Sequence, residues 1–530
     1  MTRPSSVPRT RATTALAFAC AALPWALLAW RYDFVCDDAY ISFRYSRHWA
    51  EGFGLVFNRG ESPPVEGYSN FLWVAWLALF ERLGVDVTIA ARATSAACAL
   101  ALLACVVRQL ARRLAGAPLL LCSAFLGCLS PIAVWTTGGL ETMAFALATF
   151  AVFALLYDSD DAESGERART VRRTIAAGAC AAAASLLRAD GALWAGLAIV
   201  TALATRPRSW TRERVRAAAL PLTLLTAAVV AHVAWRRSYY GEWLPNTALV
   251  KAGLASLRLE RGLCYAGSLA LALPACTLAI AGAAFVRTEL ARRALFFCLA
   301  AIAYAVYVGG DFMPMGRFVV PALPFVALAF SEVVRALAAR HGTSIASVAG
   351  VAGIVLAVLP SFDVPLASRA VRERVHFRWN DTRVLTELEM WRGMKERAES
   401  WALLGRALGS ATKPGESIVL GNIGATGYYS ELTIYDVFGL TSREVARRTG
   451  QLVRASPGHD KAVGPEFFFD RRPDYLGAYL SHADAPPNEG LPPSWSALVA
   501  NGRARLERHP LRPPLAFPTH VELRLLRLLW

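Results

Sequence analysis

The chain has 530 residues, 55% of them hydrophobic, and its mean hydropathy is positive. That is more apolar than a soluble protein of this length, and the excess falls in blocks of about 20 residues, the length that crosses a hydrocarbon core of roughly 30 Å. The formal net charge of +16 does not indicate a nucleic-acid partner, because the arginines sit in short runs between apolar blocks, where they set membrane topology.

Arg3, Arg9 and Arg11 precede an apolar run over residues 13–30. A cleaved signal peptide is one reading. The length of the run, with no small-residue cleavage site before Tyr32 and Asp33, favours an uncleaved first span. Two adjacent carboxylates, Asp37 and Asp38, follow where the chain leaves the membrane. Charge is costly there, so the pair is a candidate functional site. Ile41, Tyr45 and Trp49 then recur at helical spacing, with Arg44, Arg47 and Glu51 on another face. This predicts a short helix on the membrane surface that starts at the acidic pair. The competing reading makes the pair a helix cap and nothing more. A turn-rich loop carrying Glu66, Tyr68 and Asn70 leads into FLWVAWLALFERL, residues 71–83, which is too short to cross and suits an interfacial helix.

Further spans are predicted near 88–107, 117–135, 139–157, 175–188, 191–205, 217–235, 263–286, 294–308, 318–337 and 344–360. The arginine-bearing connections at 1–12, 108–113, 158–174, 206–216, 287–293 and 335–341 alternate with outer connections. Eleven spans therefore satisfy the positive-inside rule, with the N-terminus cytoplasmic and the C-terminus outside. Eight of the ten cysteines lie in apolar blocks, where a thiol acts as a small hydrophobe. Cys36 and Cys264 lie near membrane exits and are the pair a disulfide would join. No CxxC spacing or His/Cys cluster suggests zinc.

Residues 361–530 are charged, proline-bearing and cysteine-free, and are enough for one compact α/β domain outside the membrane. They follow a membrane domain over 1–360 whose first external loop is 31–87. ESIVLGNIGATGYYS and LTIYDVFGL read as strand, Gly-rich turn, helix, strand. Leu385, Leu388, Trp391, Met394, Trp401 and Leu404 predict a helix within 382–410. GNIGATG lacks the GxGxxG spacing, so a tight turn is a better reading than a dinucleotide site. His459 and Asp460 read as loop residues, with acceptor-sugar binding as the alternative.

Several polar residues fall on the same predicted side as Asp37 and Asp38: Glu141 in TTGGLET, Arg188 and Asp190 in LLRADG, Asn246 and Lys251 in SYYGEWLPNTALVKAG, and Asp311 and Arg317 in GGDFMPMGRF. Arg44, Arg188, Lys251 and Arg317 suit a phosphate or pyrophosphate, for which charge-assisted contacts are strong. Glu66, Tyr68, Asn70, Glu141, Asp190, Asn246 and Asp311 are candidate substrate contacts. Gly309 and Gly310 would let the backbone approach a ligand. Either Asp37 or Asp38 suits a general base, which must come within hydrogen-bond reach of the hydroxyl it activates.

DDAYISFRYSRHWAEGFGLVFNRGESPPVEGYSNFLW resembles the first external loop of bacterial multi-span GT-C glycosyltransferases, in particular the group containing the terminal β-1,2-arabinofuranosyltransferases. TTGGLET, YYGEWLPNTALVKAG, GGDFMPMGRFVVPALP and YYSELTIYDVFGLTS are similar to later motifs of that group, in the same order. The resemblance implies a GT-C-like membrane enzyme of cell-envelope glycan assembly in the bacterial cytoplasmic membrane. Such an enzyme moves a sugar from a polyprenyl-phosphate donor to a glycan or lipid acceptor, with Asp37 or Asp38 as base. The phosphate is already a leaving group, so positioned cations suffice and no metal is required, although a divalent ion is compatible. One direct displacement inverts the anomeric carbon. Two other functions stand beside this one. A flippase for lipid-linked sugar would show broken helices and midplane charges. A non-enzymatic scaffold would use the outer domain for binding. Transfer of a whole glycan from a lipid pyrophosphate, or of sugar to protein, stays within catalysis.

Overall fold

A computed structural model describes residues 11–159, 167–203, 212–250, 255–362, 364, 367–375, 385–448, 461–482, 485–486, 491–511 and 522–530. The chain opens with α1 (Arg11–Arg31), then α2 (Asp37–Ala50) and α3 (Phe71–Arg82). There follow α4 (Val87–Ala111), α5 (Gly116–Gly127), α6 (Ser130–Thr137), α7 (Thr142–Ser159), α8 (Arg167–Leu187), α9 (Gly191–Leu203) and α10 (Arg212–Tyr240). Next come α11 (Asn246–Val250), α12 (Ala255–Ala272), α13 (Pro274–Ala283), α14 (Glu289–Val308), α15 (Leu323–His341) and α16 (Thr343–Val358).

Each predicted span coincides with one of these helices or with a bent pair. Among the described residues, six helices are long and apolar enough to cross a membrane, or eight if each bent pair counts as one span. The chain is a multi-pass membrane protein. Two expected continuous spans are broken: α5 and α6 meet at 44°, α12 and α13 at 97°. Both second helices begin with proline in their first turn, Pro131 and Pro274, which cannot continue the preceding hydrogen-bond ladder. The proposed Cys36–Cys264 disulfide is absent, and both thiols are free.

The helix predicted on the membrane surface is there, but protein covers it. Ala39 through Ser46 of α2 are all buried. One side packs on α3 and the other on the C-terminal region. Its hydrophobic stripe therefore meets protein on more than one face, and Arg44 is 3% exposed. The neighbouring α3, at 12 residues, buries Trp73, Val74, Leu77 and Ala78 and exposes Trp76 and Leu79.

The C-terminal part contains α17 (Arg369–Val375), α18 (Glu387–Ala411), α19 (Ala425–Ser430), α20 (Arg443–Arg447) and α21 (Pro493–Ala500). Its strands are β1 (Ser417–Leu420), β2 (Thr433–Asp436), β3 (Tyr475–Ser481), β4 (Ala504–Pro510) and β5 (Glu522–Leu528), in the order β2-β1-β3-β5-β4. The first three are parallel, with Ile418 opposite Ile434, and β5 runs antiparallel between β3 and β4. A capping box fixes the start of α18: Glu389 N–H donates to Thr386, and Thr386 N–H to the Glu389 carboxylate. One hydrophobic cluster joins this region to the rest, packing Leu404, Leu408, Ile418, Ile434 and Leu523 with Ile41 and Tyr45 of α2.

Candidate active site

A cavity of about 410 Å³ opens beside the first turn of α2. The loop before α3, the α6–α7 turn, the α8–α9 hairpin, α11, α12 and the loop after α14 complete its wall. Four carboxylates line it (Asp38, Glu141, Asp190 and Asp311) together with four guanidiniums (Arg188, Arg258, Arg261 and Arg317). Its mixed charge suits a ligand that carries both hydroxyls and an anion.

On the cationic side, Arg188 sits in the three-residue hairpin between α8 and α9. The hairpin can be this tight because Gly191 has no Cβ to collide with the Ala184 carbonyl. Arg188 donates from Nε and Nη2 to Asp190 at 2.9 and 3.1 Å. The rings of Phe145 and Phe318 lie 4.9 and 4.8 Å from its guanidinium. Asp190 also accepts from Trp194 Nε1 and Tyr304 OH, both at 3.0 Å. Its acceptor capacity is spent on fixing Arg188, whose buried Nη1 has no hydrogen-bond partner among the described residues. A buried donor left unmade is costly, so this nitrogen is poised for an anion. Arg317 donates from Nε to Asp311 at 3.0 Å and lies over Trp135. The loop that carries both has positive φ at Gly309, Gly310, Met315 and Gly316. A Cβ on Gly310 would stand 2.6 Å from that of Tyr265, so this glycine lets the loop pack against α12 where it lines the cavity.

On the acidic side, Asp38 lines the cavity and Ser42 lies one turn further along α2. Ser42 Oγ donates to Asn70 Oδ1 at 3.1 Å, and Asn70 Nδ2 donates to Glu141 Oε2 at 2.9 Å. This chain ties α2 to the turn before α7. Tyr68 also lines the cavity, its hydroxyl 3.0 Å from that of Tyr240.

Four sequence candidates are directed elsewhere. Asp37 accepts the backbone N–H groups of Ala425 and Gly424, at 2.7 and 3.3 Å, and burial pushes its carboxyl up to about 7 despite these bonds. Arg44 spends its nitrogens on carbonyls: Phe57 at 2.7 Å, Leu432 at 2.6 Å, and Gly427. It is occupied by protein and is not a wall of the cavity. Glu66 is held by Arg236 at 2.5 and 3.2 Å. Asn246 donates to the Gly439 and Leu440 carbonyls at 2.6 and 2.9 Å. Lys251, His459 and Asp460 lie outside the described residues. Sequence reasoning missed Arg258 and Arg261. Their signal was present in LRLERGL: two arginines three apart, on one helix face, just before an apolar run. Among the described residues no group of three or more His, Cys, Asp or Glu side chains is placed to hold a metal ion.

A family described as a domain of unknown function (DUF8728) matches residues 390–516. No curated protein matches the chain by sequence. The structure is similar to crystal structures of ArnT from Cupriavidus metallidurans. The form bound to undecaprenyl phosphate has a TM-score of 0.52 at 15% identity, covering 97% of this chain and 98% of that one. The apo form has a TM-score of 0.52 at 16% identity, covering 96% and 97%. It is also similar to arabinofuranosyltransferase AftD from Mycobacteria, in a mutant form, with a TM-score of 0.51 at 15% identity. That match covers 98% of this chain but 42% of AftD. The chain has the fold of the GT-C-type membrane glycosyltransferases, the fold its sequence motifs resemble.

Proposed function

We propose that the chain is a membrane glycosyltransferase that passes a pentosyl or hexosyl unit from a polyprenyl-phosphate donor to a glycan or lipid acceptor. The observation that carries this is one cavity lined by Asp38 together with Arg188, Arg258, Arg261 and Arg317. Asp38 takes the proton of the acceptor hydroxyl. The hydroxyl oxygen bonds to the anomeric carbon as that carbon's bond to the phosphate oxygen breaks, and polyprenyl phosphate leaves with the electron pair. Arg188 and Arg317, each fixed by its own aspartate, meet the growing phosphate charge without reorganising. One displacement inverts the anomeric carbon. Much of the rate comes from holding the two substrates in line. The fold it shares with ArnT, whose crystal structure holds undecaprenyl phosphate, supports a lipid-phosphate donor. In this reading the protein lies in a bacterial cytoplasmic membrane with eleven spans, its N-terminus cytoplasmic and residues 361–530 outside.

The test supplies the reconstituted protein with a panel of polyprenyl-phosphate and polyprenyl-pyrophosphate sugars. A glycosidic product of inverted configuration from a monophosphate donor is the expected result. Sugar that crosses the bilayer without bond formation contradicts it and supports a flippase.

A further inference from the structure

The C-terminal region meets two elements that line the cavity, α2 and the loop after α14. Asp37 and Asp38 are adjacent on a helix, so their side chains project about 100° apart. Asp38 lines the cavity, while Asp37 binds the first N–H groups of α19. Further along α2, Arg44 binds the carbonyls of Gly427 and Leu432, and Arg47 binds that of Tyr428 at 3.1 Å. Helix α2 thus lays an acid against the start of α19 and two cations against its end, matching the partial charges at both ends. The approach is backbone to backbone: a Cβ on Gly424 would collide with the Asp37 carbonyl.

Helix α19 is locked to α18 in turn. Thr426 Oγ1 donates to the Trp401 carbonyl at 3.2 Å, and a Cβ on Gly405 would stand 2.8 Å from the Thr426 carbonyl. The first residue of α18, Glu387, accepts the N–H of Met315. Met315 holds φ +54°, unfavourable for a side-chain-bearing residue, in the loop that supplies Asp311 and Arg317. One helix pair therefore grips the helix that carries Asp38 and the loop that carries Arg317.

We infer that α18 and α19 form a frame that sets the distance between the acid and the phosphate-binding loop, with Asp37 and Glu387 as its positioning residues. This rests on the transfer reaction proposed above and assigns a task to the C-terminal region within it. Reacting groups misplaced by about 1 Å can lose about 10²-fold in rate, so a frame outside the cavity can govern turnover.

The experiment measures kcat, donor KM and the pH profile of kcat for the full chain in bilayers, with Asp37→Asn, Gly424→Ala and Glu387→Gln. Asp37→Asn and Gly424→Ala are expected to lower kcat about 10–100-fold, keep donor KM within about threefold and displace the acid limb of the profile. Glu387→Gln is expected to raise donor KM about tenfold through the Arg317 loop. Should Asp37→Asn or Gly424→Ala fail to fold, Thr426→Val carries the test, with kcat down about fivefold at unchanged KM. Wild-type kcat in folded variants overturns the inference, as does a loss that follows only the amount of folded protein. The outcomes are separable from those of the reaction itself. If Asp38→Asn abolishes transfer while Asp37→Asn and Gly424→Ala keep wild-type kcat, the frame alone is wrong. If Asp38→Asn also transfers at full rate, the base assignment is wrong.

Discussion

The cavity and the contact between α2 and the C-terminal region both depend on buried arginines, and they use them in opposite ways. In the cavity, Arg188 and Arg317 lean on aspartate side chains, and one buried nitrogen of Arg188 has no hydrogen-bond partner among the described residues. At the α2 contact, Arg44 is consumed by three backbone carbonyls from separate segments. A guanidinium saturated by carbonyls stitches the chain together. One held from one side by a carboxylate is pre-organised and still has donors to offer. The adjacent aspartates divide in the same way, Asp38 toward the cavity and Asp37 toward α19.

The largest expected effect separates the two aspartates. Asp38→Asn is expected to lose about 10²–10⁴ in transfer rate, the range of a general base, against the smaller loss in Asp37→Asn. The arginines give the next contrast. Arg188→Gln is expected to weaken donor binding by about 10²-fold in the folded fraction, as titration with polyprenyl phosphate would report, and to lower the melting temperature as well, because it leaves the buried Asp190 carboxylate without its guanidinium. Arg44→Gln strands buried carbonyls and is expected to cost about 2–3 kcal/mol of stability while the folded fraction binds donor normally. Equal effects of both changes on binding would erase the contrast. The smallest effect is on pH. Asp37 has its carboxyl raised from 3.8 to about 7. Its contribution to stability is full below about pH 4 and declines as pH rises through 7, because the unfolded chain ionises first. Melting temperature measured from pH 4 to 8 should fall more steeply in the wild type than in Asp37→Asn.

Much of the local structure was legible in the sequence, because periodicity and turn chemistry act over a few residues. The acidic pair starts α2, the 71–83 run is a short helix, Arg188 to Gly191 form a tight hairpin, and the GNIGATG segment joins β1 to α19. The facing of side chains was not legible. Helical spacing places Arg44 on a face of α2, but only the fold brings the carbonyls of residues 427 and 432 onto that face. Adjacent aspartates look equivalent until α19 covers one of them. Arg258 and Arg261 carry the local signal of two arginines on one helix face, but that α14 and its following loop turn that helix end into a cavity wall is set by the fold. The breaks at 129 and 273 had a local cause in Pro131 and Pro274, masked by the length of the apolar runs around them.

The most direct measurement is single-turnover transfer by Asp38→Asn, beside the wild type, in bilayers loaded with a polyprenyl-phosphate sugar and an acceptor. The account predicts that the variant binds the donor with wild-type affinity and forms almost no glycosidic product. Product formation at the wild-type rate would contradict it.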